Sequence, residues 1–132
     1  MKHSMTGDVK LIDFEYGGVN YVSFDIANHF NEWAGGIEND AGQTNFSLFP
    51  SEDKQRDFIK TYIQTASGDD VVSEDELNAM MIEVEAFLLA NHLYWGLWAV
   101  NQAAIEGTSG FDYLAYGVNR FNRYFETKRD DM

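Results

Sequence analysis

A chain of 132 residues, 45% hydrophobic and 15% aromatic, can bury one real core and is not a disordered segment. It has no cysteine, which excludes a disulfide framework and a thiolate metal site. A formal net charge of -13 disfavours polyanionic partners, nucleic acid and anionic membrane alike.

Most of the acids read as a solvated surface, and some are available to line a pocket for a cation or a metal. No run of eighteen apolar residues occurs, and no signal-peptide core follows Lys2 and His3. The expectation is a soluble protein, with a cytoplasmic location compatible.

In chain order, Thr6-Gly7-Asp8 reads as a turn and Val9 to Phe14 as a short strand. A turn leading into a strand implies an earlier strand, because an unpaired apolar edge is a liability. The chain is therefore expected to begin inside a larger domain. Ser23 reads as a helix N-cap and Gly35-Gly36 as the stop. Ile37 to Pro50 reads as loop, anchored by Phe46, Leu48 and Phe49.

Ser51 is expected to cap a second helix with Glu52 and Asp53 in its first turn, apolar pairs Phe58/Ile59 and Tyr62/Ile63, and a break at Ser67 to Asp70. Ser73 and Glu76 form a capping box for a long third helix reaching about Ile105. Its stripe is Leu77, Met81, Val84, Leu88, Trp95 and Trp98. From Ala86 to Val100 it is apolar nearly all round and should be buried. Gly107 to Gly110 interrupts, and a last helix from about Phe111 to Thr127 should turn Leu114, Val118, Phe121 and Phe125 inward. No repeat or linker divides the chain.

Two constellations carry chemistry. Asp13 and Glu15 stand at a strand end before a turn-rich loop, where a carboxylate suits Mg²⁺, which takes one or two carboxylates plus phosphate oxygens. Turn capping is the plainer role for a strand-end Asp. Trp95 and Trp98, three apart in His92-Leu-Tyr-Trp-Gly-Leu-Trp98, could form a cation cage with Tyr16, Tyr94, Tyr113 and Tyr116, with Glu32 compensating charge. From spacing alone a helix core is the plainer reading. His29 and His92 lack zinc-ligand spacing and read as structural, and Asp25 reads as a helix anchor.

The blocks Leu11 to Gly35, His92 to Gln102 and Phe111 to Lys128, in this order, closely resemble choline and ethanolamine kinases. The likeness runs from Gly7 to Lys128 and corresponds to the C-terminal part of that family. It implies a mostly helical piece of a protein-kinase-like C-terminal lobe entered by a short strand, with residues 1–132 one partial domain. It also implies ATP- and Mg²⁺-dependent phosphoryl transfer to an amino alcohol in phospholipid biosynthesis. By the same resemblance Asp13 binds metal with Glu15 as helper, and Tyr16, Glu32, Trp95, Trp98 and Tyr116 line the amine pocket. The match at Tyr116 needs one extra residue in the Glu106 to Gly110 loop.

Phe30-Asn31-Glu32-Trp33-Ala34-Gly35 followed by Leu48-Phe49-Pro50 is more similar to the ethanolamine branch. Where choline kinases carry an aromatic just after the helix, this chain has Gly36, Ile37 and Glu38. Ethanolamine is thus the expected substrate and choline the alternative. The chain contains no glycine-rich phosphate loop, no phosphate-holding strand lysine and no His-x-Asp loop with a following Asn. Alone it is expected to be inactive, associating with the missing N-terminal part or a full-length kinase. The other readings are a non-catalytic amine-binding or regulatory module and a purely structural acidic helical protein.

Overall fold

Helix-forming runs separated by glycine and acidic breaks produce four α-helices in the computed structural model, which describes residues 4–35, 41–107 and 109–128. They are α1 (Val22–Glu32), α2 (Glu52–Ser67), α3 (Glu74–Glu106) and α4 (Tyr113–Thr127), with a 3-10 turn at Phe46–Leu48. The long α3 is the hub on which α1, α2 and α4 pack. Ile26, Ala27 and Phe30 of α1 meet Ile59 and Ile63 of α2 and Leu77 and Val84 of α3 in one core, flanked by Phe49, Met81, Phe87 and Leu88. Burying each large side chain there contributes roughly 1.5–3 kcal/mol.

The helix ends follow local chemistry. Ser73 Oγ accepts from the Glu76 amide at 3.2 Å, one half of the expected capping box. Gly68 ends α2 in the left-handed conformation. The Asp112 carboxylate accepts from the Ala115 amide at 2.9 Å and opens α4. Ser51 stands at the N-cap of α2 without a side-chain bond to the helix. Ser23 is not a cap. Tyr21 holds that position, and Ser23 is buried inside the first turn.

Four further expectations are corrected. No strand forms among the described residues. Val9 makes an isolated bridge, and Leu11, Ile12 and Phe14 are exposed. Asp13 adopts φ 67°, a left-handed geometry that ends any extended run there. Leu48 is exposed and anchors nothing, whereas Phe46 and Phe49 are partly buried.

The stretch Ala86 to Val100 is not buried all round. Leu97 is 63% exposed, because α1, α2 and α4 cover only part of the surface of α3. In α4 the inward face is Tyr116, Gly117 and Arg120, while Leu114, Val118 and Phe125 face outward. Two glycines set that rotation. A Cβ on Gly96 would lie 2.7 Å from Phe121 Cε1, and one on Gly117 would lie 3.3 Å from Ala99 Cβ. Close approach at Gly96 and Gly117 thus sets the seated face of α4, which carries Tyr116 and Arg120 and not the most apolar side chains. Gly36, Ile37 and Glu38 lie outside the described residues.

Candidate functional site

The site is built where the N-terminal loop crosses the second half of α3 and the start of α4. Trp95 and Trp98, one helical turn apart, place their ring centroids 5.4 Å apart with planes at 79°. Tyr16 reaches both from the loop, at 5.6 Å and 80° to Trp95 and at 6.4 Å and 89° to Trp98. Three aromatic planes thus meet nearly at right angles. Trp98 continues the cluster to Tyr113 at 5.6 Å and Tyr116 at 6.2 Å. The Trp98 indole N–H donates to the Tyr16 hydroxyl at 3.1 Å. Tyr94 joins from the side, 5.1 Å from Trp95. The Tyr113 hydroxyl donates to a Glu106 carboxylate oxygen at 2.6 Å, and that bond holds the phenol pKa above its ordinary value.

Beneath the rings runs a buried polar chain. Asn28 Oδ1 accepts from the Trp95 indole N–H at 2.7 Å and from Asn91 Nδ2 at 2.8 Å. Asn91 Oδ1 accepts from Asn31 Nδ2 at 2.9 Å and from the Arg120 guanidinium. Arg120, with 0% of its surface exposed, also donates to the Tyr116 hydroxyl at 3.4 Å. Burial depresses the Arg120 pKa, and the Tyr116 and Glu32 side chains oppose that shift. Glu32 is exposed at the end of α1, and its charge is coupled to this guanidinium.

Tyr16, Trp95, Trp98 and Tyr116 are therefore brought together, whereas Glu32 stands exposed at the end of α1 and only its charge acts on Arg120. Asp13 and Glu15 are exposed in the loop that carries Tyr16. Two oxygen-donor carboxylates on an accessible loop fit Mg²⁺ that takes its remaining ligands from phosphate and water. Among the described residues no group of three or more His, Cys, Asp or Glu converges to hold a metal by itself. Asp25 is exposed in the first turn of α1, where negative charge suits the helix dipole.

His29 and His92 both pack against phenylalanine rings. His29 stacks on Phe58 at 4.7 Å. His92 is buried and meets Phe46 edge-on, and burial first, then Arg120 and Arg123, lowers its pKa to about 3. Its Nδ1 has no hydrogen-bond partner, so its polar demand is not fully met. A separate cavity of about 480 Å³ between α2, α3 and the end of α4 is lined by Asn31, Phe49, Glu85, His92 and Arg123 among others. None of the amine-pocket candidates lines it.

Asn28, Asn91 and Arg120 had no predicted role. A signal existed: Asn28 and Asn31 stand three apart inside a helix that does not favour asparagine, so each needs a side-chain partner.

The sequence pattern of the choline/ethanolamine kinase family matches residues 1–125. The chain belongs to this family. It is 42% identical over 127 residues to ethanolamine kinase 1 of Mus musculus, covering 92% of this chain and 33% of that protein. It is 45% identical over 118 residues to a probable ethanolamine kinase of Arabidopsis thaliana, covering 89% of this chain and 29% of that protein. Against probable choline kinase 1 of the same plant it is 34% identical over 129 residues, covering 97% of this chain and 36% of that protein. The chain spans about a third of the length of the curated relatives it matches, and the matched stretch is their C-terminal portion. No helix among the described residues is long and apolar enough to cross a membrane.

Proposed function

We propose that these residues form the amine-binding part of an ATP-dependent ethanolamine kinase, acting as one portion of a larger kinase domain. The observation that carries the reading is the corner of three near-perpendicular rings, Tyr16, Trp95 and Trp98. An ammonium group gains roughly 0.5–2 kcal/mol over each good ring face, most where water is excluded. Tyr116 extends the wall, and Glu32, exposed at the end of α1, is the carboxylate we assign to compensate the ammonium charge. The names of the relatives support ethanolamine over choline. Choline remains the second reading, favoured by the 34% identity to a probable choline kinase.

The reaction is in-line transfer of the ATP γ-phosphoryl group to the substrate hydroxyl oxygen, with ADP leaving and the hydroxyl proton passing to a base. Catalysis of this kind is chiefly positioning and charge neutralisation. Asp13 would hold Mg²⁺ with Glu15 assisting, and the ion neutralises phosphate charge when bound. The 132 residues contain no phosphate loop, phosphate-holding lysine or His-x-Asp base. Their part is to fix the ammonium end of the substrate, so that its hydroxyl is presented at one place.

The test is a chimera in which these residues replace the matching C-terminal portion of mouse ethanolamine kinase 1. It should phosphorylate ethanolamine with ATP, and the 132-residue chain alone should not. Steady turnover by the purified chain alone, or a folded chimera that binds ATP but not ethanolamine, would overturn the reading.

A further inference from the structure

We infer that Asn28 is a positioning residue of the amine pocket, setting the orientation of Trp95 and its spacing from Tyr116. The inference rests on the reading of Trp95 as a pocket wall. Asn28 lies on α1, Trp95 and Asn91 lie four apart on α3, and Arg120 and Tyr116 lie four apart on α4. Hydrogen bonds join them in one series: Trp95 Nε1 to Asn28 Oδ1 at 2.7 Å, Asn91 Nδ2 to the same oxygen at 2.8 Å, Arg120 to Asn91 Oδ1, and Arg120 to the Tyr116 hydroxyl at 3.4 Å. Each end of the series is a ring of the cluster, and its middle is buried, with Asn91 and Arg120 each 0% exposed.

Ring contacts alone leave an indole free to rock, because edge-to-face packing is tolerant of angle. A short bond from the indole N–H to a half-buried acceptor removes that freedom. Attraction between a cation and a ring depends on the ion lying over the face, so a tilted wall loses affinity without losing the residue. Asn28 does this through one oxygen that accepts twice. A carboxylate can accept both bonds equally well, and a leucine of similar size can accept neither.

That difference separates positioning from simple packing. Two readouts are needed: the Trp95 indole ¹H–¹⁵N resonance of the 132-residue chain, and ethanolamine kinetics of the chimera with mouse ethanolamine kinase 1. Asn28→Leu is expected to shift the Trp95 indole resonance and speed its hydrogen exchange. It should raise ethanolamine KM about tenfold with the ATP KM unchanged. Asn28→Asp should restore both the resonance and the KM. Should Asn28→Leu fail to fold, Asn28→Ala removes the acceptor with a smaller side chain and reads the same quantities. If Trp95→Phe raises the ethanolamine KM but the folded Asn28 variants leave KM and the indole resonance unmoved, the inference is overturned and the pocket reading stands. If Trp95→Phe itself leaves KM unchanged, Trp95 is not a pocket wall and the inference is overturned, while the pocket reading then rests on Trp98→Phe.

Discussion

The indole N–H of Trp98 donates to the hydroxyl of Tyr16 at 3.1 Å, joining residues 82 positions apart. This contact seats the loop that carries Asp13 and Glu15 on the aromatic face of α3. The candidate metal ligands and the candidate amine pocket are thereby held in one piece of structure. A kinase needs that, because the phosphoryl group and the accepting hydroxyl must meet at a fixed distance.

Asp13 combines a carboxylate with a left-handed backbone, φ 67°. Two substitutions separate these properties. Asp13→Asn tolerates the backbone geometry but removes the charge, and in the chimera it should cut turnover strongly and raise the Mg²⁺ requirement. Asp13→Gly relieves the backbone strain, so stability should hold or rise slightly while turnover still falls. Near-normal rates for both variants at limiting Mg²⁺ would reduce Asp13 to a turn residue. Thermal unfolding and Mg²⁺-dependent rates measure both effects.

The α3–α4 contact predicts a steric lesion. Gly96→Ala places a Cβ 2.7 Å from Phe121 Cε1, inside contact distance, so the ring or the helix must move. Overpacking of this kind costs roughly 1–3 kcal/mol. Phe121→Leu in the same chain should recover part of the loss. Urea unfolding of the single and double variants decides it, and strict additivity would show that the two sites do not share this contact.

Much of this fold was legible from periodicity and capping. The Ser73 cap, the Gly68 stop and the length of α3 all follow from local chemistry that operates within one helix turn. The face of α4 was not legible. Hydrophobicity points to Leu114, Val118 and Phe125, but close approach at Gly96 and Gly117 turns Tyr116 and Arg120 inward. That choice depends on shape across two helices, which no single-helix pattern carries.

The strand expected over Val9 to Phe14 failed for a related reason. A strand is defined by its partner, and among the described residues only an isolated bridge at Val9 forms. In the site, the aromatic members were visible because few residue types can make a cage. Asn28, Asn91 and Arg120 escaped notice because polar residues inside helices are read as surface until their partners are seen.

His92 predicts a pH dependence. Its pKa in the folded chain is lowered to about 3, while an unfolded histidine titrates near its ordinary value of 6.5. Between those values the unfolded chain binds the extra proton and the folded chain does not. Stability should therefore be greatest above pH 6.5 and fall as pH drops towards 3. A tenfold difference in proton affinity between the two states corresponds to about 1.4 kcal/mol, so the full loss amounts to a few kcal/mol. Between about pH 5 and 6.5 carboxylates remain mostly ionised, and the loss there reports histidine. Urea unfolding across that range should show a slope that His92→Gln flattens. An imidazole resonance of His92 titrating near 6.5 in the folded chain would contradict the assignment.

The central claim is that the rings on α3 bind the substrate ammonium and are not core alone. The most direct measurement is the ethanolamine KM of Trp95→Phe and Trp98→Phe in the chimera, each paired with its thermal stability. Phenylalanine keeps a ring but attracts a cation less than tryptophan does. At least one variant is expected to raise the ethanolamine KM several-fold, with the ATP KM roughly constant and a smaller effect on folding. If both variants melt early yet bind ethanolamine with the unaltered KM while folded, the cluster is core and the pocket lies elsewhere.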